Sequence, residues 1–396
     1  MQKIRVLIID DSAVVRRLLK EILSADSSIE VVGTAMDPYV ARRKIKKLSP
    51  DVLTLDVEMP KMDGLSFLDN LMRLRPMPVV MVSSQTKAGA ETTLKALELG
   101  AVDFVCKPKI DRADQLEEYR QEILEKVKAA AQAIIQNYSG GNTAKVNIGT
   151  VERANSFKNR NMEDIAPTLE RLAAGSLKNK AAKANSSAKA NKGRRNKQSK
   201  TIQVIAIGAS TGGTEAIKSI LARLPVSTPP IVVVQHIPKT FSAAFARSAN
   251  NLSAMEVSEA KDGDLLARGC VYVSPGDRHL SLRMDGDRYY CVLDDGPKVN
   301  RHKPSADVMF RSVAKVVGND AVGILLTGMG ADGARGLVEM LDSGALTIAQ
   351  DQATSVVWGM PGEAVRLGAA QQVLPLGEVA DHIIAMSAEE LTVHAQ

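Results

Sequence analysis

The 396-residue sequence is poor in several kinds of residue or segment, and each shortage argues against a class of protein. Aromatic residues make up only 3% of the chain, which leaves few rings to stack on the bases of a single-stranded nucleic acid. There is no run of about 18 uncharged apolar residues, as a transmembrane helix needs, and the amino terminus lacks the pattern of a secretory signal peptide. The sequence therefore predicts a cytoplasmic protein without membrane insertion.

Cysteine is scarce as well, with Cys106, Cys270 and Cys291 widely spaced and set in or beside apolar runs. No pair has the spacing of a metal site or a redox motif. We expect three buried, reduced thiols, because free cysteine behaves as a small hydrophobic residue.

The net charge of +6 is concentrated in one segment. Residues 139–200 contain 14 Lys+Arg and 4 Asp+Glu, so this segment carries +10 and the remainder of the chain −4. The segment is rich in Lys, Ala, Asn and Ser and too poor in large apolar residues to form a core. It is predicted to be a flexible tether, and binding to an acidic partner or a membrane surface is a second interpretation. The charge gives no reason to expect a nucleic-acid partner.

The two flanking segments alternate short apolar runs with helical patterns. Residues 1–125 contain five such runs, and a last helix is expected to continue to about residue 138. Short apolar runs separated by helices indicate a doubly wound parallel sheet. Residues 201–390 repeat the pattern, except that residues 256–295, which include "GCVYVSPG" and "YYCVLDDG", are predicted to form antiparallel hairpins. The predicted fold class is thus two α/β parallel-sheet domains joined by a basic linker, the second domain carrying a hairpin addition.

Charged and hydroxyl side chains follow successive strands of the first segment: Asp10 and Asp11, then Asp56, Ser83 and Lys107. The carboxyl ends of parallel strands meet at one edge of a sheet, so three carboxylates gather there, and oxygen ligands of this kind suit Mg²⁺. With a lysine to neutralise phosphoryl oxygens, Asp56 is placed to accept a phosphoryl group. Taken singly, each residue is more often a turn or helix-cap residue.

The stretches "LIIDDSAVVRRLL", "LTLDVEMPKMDGLSFL", "VVMVSSQT" and "DFVCKP" resemble the receiver domain of two-component response regulators. The resemblance covers residues 1 to about 125 and implies phosphorylation of Asp56 by a sensor histidine kinase. It also implies that Ser83 and Lys107 sense the phosphoryl group. The implied Mg²⁺ ligands are Asp10, Asp11, Asp56 and the backbone carbonyl of Glu58.

A candidate nucleophile lies in "VIAIGASTGG", where residues 208–212 match the G-x-S-x-G elbow that presents a reactive serine. The stretch lacks both the G-x-G-x-x-G pattern and the lysine of a P-loop. His236 closes "IVVVQHIP", the strand expected beside the one that ends at Ser210, and Asp332 follows a third buried strand. These three residues are predicted to form a nucleophile, base and carboxylate triad.

Glycines around Met329 leave backbone N–H groups for an oxyanion hole, which we assign to Met329 and Thr211. Two further histidines are interpreted differently. His302, among three cations, is interpreted as a substrate-binding or surface residue, and His279 as a hairpin residue remote from the parallel strand ends.

"IGASTGG", "VQHIP", "VSPGDRHL", "RHKPSADVMF" and "LTGMGADGA" resemble the catalytic domain of chemotaxis protein-glutamate methylesterases over about residues 201–390. The resemblance implies hydrolysis of glutamate γ-methyl esters on methyl-accepting chemoreceptors and deamidation of particular glutamines. It assigns Ser210 as nucleophile, His236 as general base and acid, and Asp332 as the residue that orients the base. It implies no cofactor for the ester chemistry, and a receiver that hinders access to the triad until Asp56 is phosphorylated.

Three other interpretations stay open. A DNA-binding response regulator would need a helix-turn-helix or winged-helix output with a basic face, whereas residues 201–396 have α/β patterning. A nucleotide-binding oxidoreductase would use the Ser210 turn for a pyrophosphate. In a non-catalytic signalling adaptor the three triad residues would occur together by coincidence.

Overall fold

The computed structural model describes residues 2–59, 62–84, 86–107, 113–133 and 202–391. The predicted linker, residues 139–200, and the predicted end of the preceding helix lie outside the described residues. Described residues up to 133 are called the N-terminal half below, and those from 202 the C-terminal half. Among the described residues, none of the helices has the length and hydropathy needed to cross a membrane.

The N-terminal half contains the predicted five-stranded parallel sheet, with strand order β2-β1-β3-β4-β5. Four of its helices begin at a side-chain cap, a Ser, Asp or Thr whose oxygen accepts a hydrogen bond from the first turn. The strands are β1 (Ile4–Ile9), β2 (Ile29–Ala35), β3 (Val52–Asp56), β4 (Val79–Ser83) and β5 (Asp103–Cys106). The helices are α1 (Ala13–Ser24), α2 (Pro38–Leu48), α3 (Gly64–Leu74), α4 (Lys87–Glu98) and α5 (Ala113–Gln132).

The C-terminal half contains a seven-stranded parallel sheet, with strand order β14-β13-β12-β6-β7-β9-β8, and a separate antiparallel pair, β10 and β11. The strands are β6 (Val204–Ala209), β7 (Ile231–Gln235), β8 (Glu256–Glu259), β9 (Cys270–Val273), β10 (His279–Asp285), β11 (Arg288–Asp294), β12 (Ala321–Leu325), β13 (Leu346–Gln350) and β14 (Gln372–Leu374). The helices are α6 (Gly213–Leu221), α7 (Lys239–Asn250), α8 (Ala306–Val316), α9 (Ala334–Asp342), α10 (Met360–Arg366) and α11 (Leu376–Leu391), with one 3₁₀ turn at Gly318–Asp320.

The predicted hairpin region is only partly antiparallel. Strands β10 and β11 form the expected hairpin, but β8 and β9 are parallel strands of the main sheet. The prediction was wrong for Cys270–Val273 because a short apolar run has the same periodicity in a hairpin as in a buried parallel strand. Val271 and Val273 are completely buried against β7, as a parallel strand requires.

The central strands of the second sheet are covered on both faces. Alternate side chains of β6 point to opposite sides: Ile205 and Ile207 join one apolar cluster, and Val204 and Ala206 join another. Burial on both sides fixes the register of β6 between β12 and β7. The loops at the carboxyl ends of these three strands are therefore held close together.

The three cysteines are unpaired, as predicted, with Cys106 and Cys291 buried and Cys270 partly buried. Burial raises the pKa of the Cys106 and Cys291 thiols to about 12. Both are therefore neutral thiols at physiological pH and poor nucleophiles.

Candidate functional site

Ser210 lies in a tight elbow directly after β6. Its backbone N–H donates to the carbonyl of Thr327 (3.0 Å), and its own carbonyl accepts from Gly213 N (2.7 Å) and Gln235 Nε2 (2.8 Å). Gly212 has a φ of +76°, and a Cβ there would lie 2.6 Å from a methyl carbon of Val356, so only glycine fits. The Ser210 side chain is partly exposed and has no hydrogen-bond partner among the described residues.

His236 follows β7, the neighbour of β6, and its backbone N–H donates to the carbonyl of Ala209 (3.1 Å). Its Nε2 lies 2.9 Å from Asp332 Oδ2, and both side chains are almost completely buried. The other ring nitrogen, Nδ1, is buried and has no hydrogen-bond partner in the described part of the chain. The pairing with the carboxylate thus leaves Nδ1 as the nitrogen available to accept a proton.

Asp332 is held by four further donors. Burial alone raises the pKa of Asp332, but hydrogen bonds from His236, Ser305 and Asn300 outweigh it, and the pKa lies below its usual range. Asp332 is therefore a carboxylate at every pH at which His236 can act as a base. The additional donors are Ser305 Oγ (2.6 Å), Asn300 Nδ2 (2.8 Å), Ala306 N (2.6 Å) and Asp307 N (3.4 Å).

His302 stacks on His236, with ring centroids 3.8 Å apart and ring planes 8° from parallel. Burial, with a smaller contribution from His236, lowers the pKa of His302 to about 3. His302 is thus a neutral ring against the face of the candidate base.

Two residues missed by the sequence analysis, Asn300 and Ser305, join the candidate triad to the loop that precedes α8. Ser305 binds Asp332 with its hydroxyl and donates its backbone N–H to His279 Nδ1 (3.2 Å). His279 Nε2 in turn donates to the carbonyl of Pro297 (2.9 Å). The interpretation of His279 as remote from the strand ends was wrong, because hydrogen bonds connect it through one residue to Asp332. The only sequence signal was the run of polar residues in "VNRHKPSAD".

The predicted oxyanion donors also lie at this edge of the sheet. The backbone N–H groups of Thr211 and Met329 donate no hydrogen bond to any described residue, although neighbouring amides such as Ser210 N and Gly328 N do. Met329 is partly exposed. Two free N–H groups beside a serine elbow can stabilise a developing oxyanion.

The N-terminal half brings Asp10, Asp11 and Asp56 together, with carboxylate oxygens that lie within 4.8 Å of one another. Lys107 Nζ lies 2.8 Å from Asp56 Oδ2 and 3.2 Å from Asp10 Oδ2. Burial raises the pKa of Asp10, and it raises that of Asp56 to about 6 despite Lys107. An open cavity of about 670 Å³ adjoins the cluster and is lined by Asp11, Glu58 and Lys107, among others.

These residues fit a divalent cation. Asp10 Oδ2 is buried, and its described partner is the Lys107 ammonium 3.2 Å away, which Asp56 shares. One lysine cannot neutralise three clustered carboxylates. An all-oxygen donor set is the kind that Mg²⁺ prefers. Glu58 lies at the cluster through its backbone N–H, 3.3 Å from Asp56 Oδ1.

Ser83 lies at the end of β4, as predicted, but its hydroxyl points towards α4. It is completely buried, accepts from Thr93 Oγ1 (2.6 Å) and lies 3.4 Å from the carbonyl of Gly89, both in α4. The described hydrogen bonds of the Ser83 hydroxyl therefore involve α4 and the carbonyl of Ser84, and none involves a carboxylate of the acidic cluster.

The two halves contact each other beside Ser210. Thr211 Oγ1 donates to Asp103 Oδ2 (2.5 Å) in β5. The rings of Phe104 and Phe241 stack with centroids 4.4 Å apart, and both are buried. The N-terminal half thus contacts the residue that follows Ser210 and the helix that follows His236.

Comparisons with known proteins assign a family to each half of the chain. Residues 205–383 match the family model described as CheB methylesterase, and residues 6–119 match that of the response regulator receiver domain. The chain is 53% identical over 386 residues to protein-glutamate methylesterase/protein-glutamine glutaminase 1 of Xanthomonas euvesicatoria pv. vesicatoria, with 98% of each chain covered. It is 54% identical to the enzyme of that name from Hydrogenovibrio crunogenus, covering 98% of this chain and 99% of the relative.

Among solved structures, the Thermotoga maritima CheB methylesterase catalytic domain is 35% identical and covers 47% of this chain and 99% of its own, with a TM-score of 0.46.

The five-stranded receiver and the second parallel sheet define a response regulator with an enzymatic output. In place of a DNA-binding output domain, residues 205–383 match the methylesterase family. The chain belongs to the family of protein-glutamate methylesterases/protein-glutamine glutaminases.

Proposed function

We propose that Ser210, His236 and Asp332 are the catalytic triad with which this chain hydrolyses glutamate γ-methyl esters on chemoreceptors. The chain is a protein-glutamate methylesterase and protein-glutamine glutaminase, as its family membership establishes. The observation that carries the triad is the 2.9 Å contact between His236 Nε2 and Asp332. It leaves His236 Nδ1 without a partner beside the strand end that bears Ser210.

The proposed reaction has two steps. His236 Nδ1 takes the proton of Ser210 Oγ as the oxygen attacks the ester carbonyl, and Asp332 stabilises the imidazolium that forms. The Thr211 and Met329 N–H groups hold the oxyanion. His236 then gives its proton to the departing methoxide, which leaves as methanol. The product is a glutamyl ester of Ser210.

Water resolves this intermediate. His236 removes a proton from the water as it attacks the acyl carbonyl, and returns the proton to Ser210 Oγ when the bond to serine breaks. The product is a glutamate side chain. Glutamine follows the same path, with ammonia leaving in place of methanol.

We propose that the receiver is phosphorylated on Asp56 by a sensor histidine kinase. Asp10, Asp11, Asp56 and the carbonyl of Glu58 would hold Mg²⁺, which neutralises the phosphoryl oxygens during transfer. Lys107, 2.8 Å from Asp56, would contact the same oxygens. Ser83 would have to leave its contacts with α4 to reach the phosphoryl group.

Phosphorylation would activate the esterase by changing the contact between the halves. The receiver contacts the serine elbow through Asp103 and α7 through Phe104, and both residues lie a few positions before Lys107 in the chain. Phosphorylation would favour a second arrangement of β5 and α4. In that arrangement the contact between the halves would be weaker, and the serine elbow would be open to the receptor.

We infer a domain division at the predicted positions, with a receiver over residues 1–125 and a methylesterase domain over residues 201–390, joined by residues 139–200. The matched ranges 6–119 and 205–383 support it.

The test is methanol release from receptor membranes whose glutamates carry labelled methyl groups. Wild type, Ser210→Ala and Asp56→Asn are compared with and without a small-molecule phosphodonor and Mg²⁺. We expect a stimulated wild type, no release by Ser210→Ala, and unstimulated release by Asp56→Asn. Residual hydrolysis by Ser210→Ala near the wild-type rate would refute the nucleophile. Equal stimulation of Asp56→Asn would refute the phosphorylation site.

A further inference from the structure

His279 is a buried histidine whose two ring nitrogens contact opposite ends of one loop. Its Nε2 donates to the carbonyl of Pro297 (2.9 Å), and its Nδ1 accepts from the backbone N–H of Ser305 (3.2 Å). A carbonyl only accepts and a backbone N–H only donates, so the ring is neutral with its proton on Nε2. Residues 297–305, called the 297–305 loop below, are therefore held at both ends by the first residue of β10.

The 297–305 loop has a backbone conformation that depends on its surroundings. The backbone groups at the two ends of residues 299–302 hydrogen-bond to each other (3.0 and 2.9 Å), and Asn300 and Arg301 between them have φ of +51° and +69°. Positive φ at both central residues is typical of a type I′ turn. An arginine with positive φ is uncommon and persists where neighbouring contacts fix the chain. This turn brings Asn300 Nδ2 to Asp332 (2.8 Å).

Ser305 is the N-cap residue of α8, but its hydroxyl does not cap that helix. The hydroxyl donates to Asp332 Oδ1 instead (2.6 Å). The backbone N–H groups of Ala306 and Asp307 donate to the same carboxylate (2.6 and 3.4 Å), so Asp332 occupies the anion site at the start of α8. A shift of the Ser305 backbone would move all three donors together, and His279 Nδ1 is the acceptor that holds its N–H.

The donors around Asp332 are divided between its two oxygens. Oδ1 accepts from Ser305 Oγ and Asn300 Nδ2. Oδ2 accepts from Ala306 N and lies 2.9 Å from His236 Nε2. This division fixes the rotation of the carboxylate, and with it the direction in which Oδ2 faces the candidate base. A carboxylate in a triad acts by orienting the base, so its own rotation matters for catalysis.

We propose that His279 is a positioning residue for ester hydrolysis, and that it acts on Asp332 through the contact of its Nδ1 with Ser305. The contact of Nε2 with Pro297 contributes to stability alone. This inference rests on the proposed function, because it requires Asp332 to orient His236. A misdirected carboxylate lowers kcat and leaves KM for the receptor unchanged, because the lost interaction is made in the transition state.

Two isosteric variants separate the two ring nitrogens of His279. In His279→Asn, the side-chain Oδ1 takes the position of Nδ1 and can accept from Ser305, but nothing reaches Pro297. In His279→Gln, the amide N–H takes the position of Nε2 and can donate to Pro297, but only a carbon lies where Nδ1 was. Each variant therefore keeps one of the two hydrogen bonds and loses the other.

The assay measures kcat and KM on receptor membranes with labelled methyl groups, with the full chain activated by a small-molecule phosphodonor and Mg²⁺. We expect His279→Gln to lower kcat at least about tenfold with KM unchanged, because small misplacements of catalytic groups have effects of this size. His279→Asn should retain most of the wild-type kcat, although Tm should fall by a similar amount in both variants. Equal losses of kcat in the two variants, or losses that follow Tm, would overturn the proposal.

Ser305→Ala tests the same path from its other end, and it gives a result even if His279→Gln does not fold. Loss of the Oγ donor should lower kcat at unchanged KM, and a wild-type kcat would overturn the path to Asp332. In the double variant the loss of kcat should be smaller than the product of the two single losses, because both changes act on one carboxylate. Losses that multiply would mean that His279 acts independently of Ser305, which would also overturn the proposal.

Ser210→Ala and Asp332→Asn, assayed in parallel, distinguish failure of this inference from failure of the proposed function. Both variants should lose nearly all methanol release. If they do and His279→Gln retains the wild-type kcat, the positioning role is wrong and the triad stands. If Asp332→Asn retains the wild-type kcat, the proposed triad itself is wrong, and the role of His279 is overturned with it.

Discussion

The hydroxyl of Thr211 donates a 2.5 Å hydrogen bond to the carboxylate of Asp103. Thr211 directly follows the candidate nucleophile, and Asp103 begins β5, the strand that ends just before Lys107. Asp103 is buried and lies 3.2 Å from Lys126 Nζ, so its charge is compensated within the receiver. One short strand thus joins the acidic cluster of the receiver to the serine elbow.

Replacing Thr211 with Val should partly activate the unphosphorylated enzyme. Valine preserves the shape of threonine and the backbone N–H, but it leaves the Asp103 carboxylate without this donor. A hydrogen bond to a charged group contributes about 1.5–3 kcal/mol, so we expect methanol release without phosphodonor to rise about tenfold or more. The rate of the phosphorylated enzyme should change little.

Thr211→Ser is the matched control, because it keeps the hydroxyl and should retain low basal activity. If Thr211→Val and Thr211→Ser have the same basal rate as wild type, the hydrogen bond does not contribute to closure.

The stack of His302 on His236 predicts an effect of charge on catalysis. A neutral ring at 3.8 Å tolerates the imidazolium that His236 forms during the reaction, whereas a cation there would repel it. We expect His302→Lys to lower kcat at least tenfold and His302→Phe, which keeps a flat neutral ring, to retain most of it. Rates across pH 6 to 9 for both activated variants would measure this, and equal losses would mean that charge is irrelevant at this position.

His302 also predicts a pH dependence of stability. Its pKa is about 3 in the folded protein against 6.5 for an ordinary histidine, so below pH 6.5 the unfolded chain binds a proton that the folded protein does not. Stability should therefore be greatest above pH 6.5 and fall as the pH drops towards 3. The groups that act on His302 are His236 and Asp332 beside it, with Lys126 and Lys298 further contributing charge.

Thermal unfolding of wild type and His302→Phe between pH 7.5 and 5 isolates this contribution. Tm should decrease more steeply in wild type, because the variant lacks the group that titrates. Parallel curves for the two proteins would contradict the neutral state of His302.

Asp332→Asn should lower both kcat and the free energy of unfolding. The carboxylate accepts from Ser305, Ala306 and Asn300 as well as from His236, and an amide would place a donor against some of these donors. The loss of a correctly oriented base predicts a fall in kcat of about 10⁴-fold, as in serine-protease triads.

Ser210→Ala is the control for Asp332→Asn, because the Ser210 side chain makes no described hydrogen bond and its removal should leave Tm nearly unchanged. A variant Asp332→Asn with wild-type kcat would eliminate Asp332 from the triad.

The positions of the candidate triad residues could be predicted because they depend on strand order. Ser210, His236 and Asp332 each follow a buried run, and parallel sheets gather such ends at one edge. Adjacent strands β12, β6 and β7 do bring them together. The acidic cluster of the receiver follows from the same rule.

The supporting residues could not be predicted, because their contacts depend on how loops pack. Asn300 and Ser305 reach Asp332 across about 30 residues of sequence, and no periodicity encodes that approach. Glu91 and Glu98 have the pattern of an ordinary solvated helix face, and only the structure places them against Arg247 and Lys218.

Gly212→Ala in the serine elbow should lower stability and kcat more than a glycine-to-alanine change at an open turn. At a φ of +76° any side chain is strained, and the new Cβ would lie 2.6 Å from Val356 Cγ2 and 2.7 Å from Val356 Cβ. Rotation of the valine relieves the first contact but not the second, so the backbone has to move. Strain of about 1–2 kcal/mol and overpacking of about 1–3 kcal/mol should lower the free energy of unfolding together.

Gly286 is the matched control, since it also has a positive φ (+63°) but lies in the β10–β11 turn with no heavy atom within 4 Å of an added Cβ. Gly286→Ala should carry the strain alone and keep full esterase activity. Denaturant unfolding and methanol release, measured on both variants, should show a larger loss of both stability and kcat in Gly212→Ala. Equal destabilisation with unchanged kcat in both would mean that the elbow tolerates a side chain at Gly212, and that contact with Val356 does not fix the position of Ser210.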